Sequence, residues 1–199
     1  MTLPDPKATL LRYLDSVRDA LLWKLDGLPE YDVRRPLTPT GTNLLGLVKH
    51  VASVEAGYLG LVFDRPFPDT RPWMLGDAEP NADMWATEEE SREEILDLYR
   101  RVREHAAATV EALELDSRGT VPWWGEARRE VSLHQILVHL VAELNRHAGQ
   151  ADILRETLDG SAGLVQGNDN LVEGDQAWWQ AYHARLEQAA RTAAGLPPA

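Results

Sequence analysis

Cysteine is absent from this sequence. That absence removes disulfides, zinc ribbons and a thiol nucleophile of the chain's own, so any thiol chemistry needs a thiol from outside. Positive charge is scarce: 20 Lys and Arg stand against 32 Asp and Glu, for a formal net charge of −12. The deficit argues against non-specific binding to nucleic acid, whose phosphates reward clusters of Lys and Arg, and against an anionic membrane surface. Only three of the basic residues are lysine, which reads as the coding bias of a GC-rich genome rather than as physics. The longest apolar run, LLGLVKHVASVEAGYLGLVF, is broken by Lys49, His50 and Glu55, so it is not read as a membrane span. The start, MTLPDPKATLLRYL, lacks the basic stretch, apolar run and small-residue cleavage site of a secretory leader. The expectation is a cytoplasmic protein that binds neither nucleic acid nor membrane.

What is present suits one globular domain over residues 1–199, with 44% hydrophobic and 26% charged residues. Leu10, Leu14, Val17, Leu21 and Leu25 recur at helical spacing and predict a first helix over about Pro6–Gly27. A loop rich in Gly, Pro and Thr follows. Leu44, Val48, Val51, Val54, Tyr58 and Val62 predict a second helix over about Asn43–Phe63. After another long loop, Thr87 and Glu90 have the spacing of a capping box and predict the start of a third helix, whose stripe runs from Ile95 to Leu113. The connector VPWWGEARREV suggests a small hairpin. Ser132 and Gln135 repeat the capping spacing and open a fourth helix that ends near Gly160. A further helix is expected over about Asp175–Ala194. There is no internal repeat. The fold expected is all-α: an antiparallel four-helix bundle with an additional short C-terminal helix.

The fourth helix contains LVHLVAELNRHAGQADILRE, in which His139, Glu143 and His147 stand four apart. At about 100° per residue with Leu140 at zero, Leu133, Leu137, Leu144, Ala148 and Ala151 fall between zero and about 80°. His147 falls at about −20° and Glu143 at about −60°, on the edge of the buried stripe, whereas His139 falls at about −100°, nearer solvent. On the second helix His50 lies within about 40° of Asn43, Val54 and Leu61, also at the edge of a buried face. A carboxylate at such an edge is costly unless a cation meets it. Two ligands four apart on one helix can grip a metal ion, and a third from a neighbouring helix leaves open positions for water or substrate. Glu143 and His147 supply the pair and His50 is the natural third. The spacing alone leaves open a plain pairing of Glu143 with an arginine. His139 is read as a solvated or hydrogen-bonding histidine, and His105, His134 and His183 as structural or exposed. Trp73, Trp85, Trp123 and Trp124 fall in loops, where they either wall a pocket or plug the end of the bundle; Trp178 and Trp179 are read as packing residues of the last helix.

The segments LLGLVKHVASVEAGYLG and HLVAELNRHAGQADILRE together resemble the DinB superfamily of bacterial bundle proteins. The likeness is nearest to the actinobacterial mini-circle branch, related to the N-terminal domain of mycothiol-dependent maleylpyruvate isomerase. The resemblance implies a four-helix bundle holding a divalent metal, zinc first and nickel second, on three side chains. Many DinB proteins use three histidines; the isomerase-like branch replaces the middle one with glutamate. Carried onto this chain, the implied ligands are His50, Glu143 and His147. Many relatives have histidine where Gln150 stands, and Gln150 is expected to hydrogen-bond close to the site. The chain is also read as lacking the extra C-terminal domain of the isomerase, which counts against that substrate. The implied function is a metal-dependent thiol S-transferase that acts on small electrophiles with mycothiol or another low-molecular-weight thiol. The alternatives are a non-catalytic bundle that binds a metal or small ligand, and a metal-dependent hydrolase. The expected partner is a small-molecule substrate, and a homodimer is implied by resemblance only.

Overall fold

The computed structural model describes residues 5–76 and 78–198. The described residues are mostly helical, with one two-stranded sheet, so the fold is all-α in class. The chain divides into two compact units, Met1–Asp169 and Asn170–Ala199.

In the first unit, helix α1 (Pro6–Trp23) starts where Asp5 accepts the Ala8 N–H at 2.8 Å and Pro6 takes the first helical position. A one-turn helix, α2 (Glu30–Arg34), lies in the segment expected to be a loop. Helix α3 (Leu44–Tyr58) is capped by Asn43, whose Oδ1 accepts the Gly46 N–H at 2.7 Å. The apolar run then breaks into a 3-10 turn at Leu61–Phe63, so the expected second helix ends earlier than Phe63. By length and composition Leu44–Phe63 is apolar enough to cross a membrane, yet most of it is buried inside the protein, as a core helix would be.

The third long helix begins later than expected. Thr87 and Glu90 do exchange a capping contact, with the Thr87 N–H donating to Glu90 Oε2 at 2.9 Å. The same carboxylate oxygen also accepts from Lys49 Nζ at 2.7 Å, which draws it onto α3, and the chain makes only a turn there. Beyond another one-turn helix, α4 (Pro72–Leu75), helix α5 therefore runs Arg92–Ala112. It is opened by a complete capping box in which Ser91 and Glu94 each satisfy the other's backbone N–H. Ser91→Ala is expected to cost about 1 kcal/mol, read as a lower urea midpoint with an unchanged slope.

Strands β1 (Arg118–Thr120) and β2 (Glu130–Ser132) pair antiparallel with Gly119 opposite Val131, and they flank the tryptophan-bearing connector as a small hairpin. Helix α6 (Leu133–Asp159) follows directly. It is capped by Ser132 and ends at Gly160, whose φ of 77° is left-handed.

Helix α1 packs on α6, and α3 packs on both α5 and α6. Their buried stripes meet in one core that includes Leu14, Val17, Val48, Val51, Leu98, Val102, Leu140 and Leu144. A polar group is enclosed with them. The Arg18 guanidinium on α1 donates through Nε to Glu55 Oε1 on α3 at 3.1 Å, and Tyr99 on α5 donates to the same oxygen at 2.8 Å. Glu55 is fully buried. Burial opposes the Arg18 charge, but Glu55 outweighs it and raises the guanidinium pKa; burial, then the Glu55 charge, pushes the Tyr99 phenol well above its ordinary value. Three helices are thus tied at one buried point.

The second unit holds helix α7 (Gln176–Ala193), capped by Asp175. With 18 residues it is as long as α1, so the expectation of a short last helix does not hold. None of its residues is buried. Trp178 stacks on Tyr182 at 5.3 Å and meets Trp179 edge-on, so these rings pack along their own helix.

Candidate metal centre

Helix α3 offers His50 and helix α6 offers Glu143 and His147, because the two helices pack with these edges of their stripes in register. One ligand atom from each of the three residues lies within 4.8 Å of the others. Glu143 Oε1 is 3.1 Å from His147 Nε2. The His50 and His147 rings meet edge-on with centroids 4.7 Å apart. His147 is buried, while His50 and Glu143 are half-buried, so the group faces outward on one side.

Each imidazole is held through its other nitrogen. Nδ1 of His147 is 2.9 Å from Gln150 Oε1. Nδ1 of His50 is 2.7 Å from Asp83 Oδ2. Asp83 lies in a 3-10 turn, Ala82–Met84, of the long loop before α5. No helical spacing or motif in the sequence marks it.

The donor chemistry fits a divalent cation. His147 has an acceptor oxygen facing each ring nitrogen, and a neutral imidazole carries only one N–H to give. A divalent cation held by His147 and Glu143 would satisfy the ring lone pair and the carboxylate together. Two imidazoles and one carboxylate, each imidazole oriented by an oxygen on its far nitrogen, is a donor set that zinc accepts with a position left open.

His139 is not part of the three-atom group. Its ring is half-buried against Tyr58 and Trp124, at centroid distances of 4.7 and 5.3 Å. His105 donates its Nε2–H to the Arg65 carbonyl oxygen at 2.6 Å, and His134 and His183 are exposed.

A cavity of about 370 Å³ adjoins His50 and Glu143. Val54, Leu61, Phe67, Met74, Leu75 and Trp123 supply most of its apolar wall. Of Trp73, Trp85, Trp123 and Trp124, Trp123 alone is among the lining residues, and Trp73 lies in α4 rather than in a loop. Trp124 stands behind, and both indole N–H groups donate to the Tyr58 hydroxyl, at 3.2 and 3.0 Å. Trp73 lies over Lys49, 4.6 Å from its ammonium, and the Trp85 carbonyl accepts from the same ammonium at 2.8 Å. The pocket and packing readings of the tryptophans are thus divided among them.

Lys49, next to His50, is buried with Glu90 as its partner. Burial works against the Glu90 carboxylate, but the Lys49 ammonium and the Thr87 N–H together hold it below its ordinary pKa.

A search of curated proteins found no match. The family model described as Mycothiol-S-transferase matches residues 9–160, about three quarters of the chain and a span that contains all three donors. The chain belongs to this DinB-like mycothiol-S-transferase family.

Proposed function

We propose that this protein is a divalent-metal-dependent thiol S-transferase whose ligands are His50, Glu143 and His147. The observation that carries the reading is the convergence of these donors beside an apolar cavity. A chain without cysteine must draw its sulfur nucleophile from outside, and mycothiol is the thiol that the family description suggests. A divalent metal, zinc before nickel, would supply the Lewis acidity that makes a thiol a thiolate near neutral pH. The residues of the chain do the rest. Gln150 holds the His147 ring, the cavity wall excludes water, and the apolar side chains receive a small electrophile. In the transfer a carbon–sulfur bond forms, the leaving group departs from carbon, and the thiol proton passes to solvent.

The four long helices α1, α3, α5 and α6 are read as an antiparallel bundle in a single domain. The protein is further proposed to act in the cytoplasm, and to pair as a homodimer by likeness to DinB proteins.

The test uses full-length protein purified without a histidine tag and loaded with zinc or nickel. Conjugation of a fluorogenic alkylating agent is followed with mycothiol, with another small thiol and with no thiol. Turnover that requires both metal and thiol, and that a chelator removes, is expected. Hydrolysis without thiol would point to a hydrolase, and no turnover with bound metal would leave a metal-binding bundle.

A further inference from the structure

We infer that Asp83 is the positioning residue of this centre, and that one edge of α3 is built to hold it in place. The inference rests on the three-ligand reading above. Asp83 Oδ2 accepts the Nδ1–H of His50 at 2.7 Å. That bond fixes the tautomer in which Nε2 carries the free lone pair, and it sets the angle of the ring.

A loop carboxylate performs this task only if the loop is fixed, and α3 fixes it at successive positions. Asn43 Nδ2 donates to the Met84 carbonyl at 3.2 Å. Lys49 Nζ donates to the Trp85 carbonyl at 2.8 Å. Between them Gly46 lets the loop backbone lie directly on the helix: a Cβ at this position would stand 1.8 Å from the Met84 oxygen. Asn43, Gly46 and His50 follow one another at helical spacing along one face. The two residues after Asp83 are therefore pinned to the same helix that carries His50. Asn81 opens the turn at a left-handed φ of 63°, a conformation that asparagine tolerates better than most residues. Lys49, which looks in the sequence like a break in the apolar run, and Gly46 both serve the seat of this loop.

The test has two readouts, neither of them activity. The first is the tautomer of His50 in the metal-free protein, read by nitrogen-15 NMR at a pH where the imidazoles are neutral. The second is metal affinity by competition with a chelator. Wild type is expected to show the Nδ1–H form at His50. Asp83→Ala is expected to revert to the Nε2–H form that free imidazole prefers, and to bind metal about 10–100-fold more weakly. Asp83→Asn keeps an acceptor oxygen, so it is expected to retain the tautomer and lose less affinity. It also carries the test if the alanine variant does not fold. Gly46→Ala alters no polar group, yet it is expected to weaken metal binding by lifting the loop. Wild-type affinity and tautomer in Asp83→Ala, with metal binding lost in His50→Ala, would overturn the inference alone. Metal binding retained in His50→Ala would overturn the ligand set itself, and the inference with it.

Discussion

Glu55→Ala is expected to destabilise the protein by about 3–5 kcal/mol, the usual cost of removing one partner from a buried ion pair. For a chain of this size the melting temperature then falls by roughly 6–20 °C. The Arg18 side chain is 2% exposed, and Glu55 is its only fully buried carboxylate partner among the described residues. Tyr99 would lose its acceptor at the same time. Asp15 also contacts Arg18, at 2.9 Å, but its side chain is 53% exposed. Asp15→Ala is therefore expected to cost no more than about 1 kcal/mol. Urea unfolding of both variants against wild type makes the comparison. Equal losses would mean that the enclosed contact is worth no more than the surface one.

His147→Ala is expected to abolish stoichiometric metal binding, weakening it by more than about 100-fold, since even the loss of a residue that only orients a ligand costs up to that much. His139→Ala, one turn from Glu143 on the same helix, is expected to bind metal as wild type does. The contrast follows from position: His147 Nε2 faces the Glu143 carboxylate, whereas the His139 ring packs on Tyr58 and Trp124. Equilibrium dialysis with metal analysis of the apo-proteins reads both. Metal lost from the His139 variant and kept by the His147 variant would reverse the assignment. Far-ultraviolet circular dichroism of each variant separates ligand loss from misfolding.

Local signals make much of the helix pattern legible in the sequence. Helix α6 could be bounded almost to the residue because Ser132 and Gly160 are chemically specific ends, and its angular pattern set His147 and Glu143 at the margin of the buried stripe. The start of α5 is not legible locally, because Thr87 and Glu90 have capping-box spacing, while the contact that holds Glu90, from Lys49, joins residues far apart in sequence. Glu55 looked like an interruption in an apolar run; its partners lie on two other helices, where no pattern within α3 can reveal them. Asp83 was invisible for the same reason. Periodicity reports which way a side chain faces on its own element, and it is silent about a loop folded back from 33 residues away.

The buried tie at Glu55 and the loop seat at Asn43, Gly46 and Lys49 lie on either side of His50 along α3. A helix fixed at only one point can still roll or slide; one fixed on both sides of a residue presents that residue at a set height and angle. The three side chains are then spaced by folding alone, so a cation held there as proposed would leave little ordering entropy to be met on binding. If the proposed ligand set is right, metal affinity becomes a measure of how stiffly α3 is mounted, and a loosened mount far from the three donors is expected to be felt first as a weaker grip on the ion.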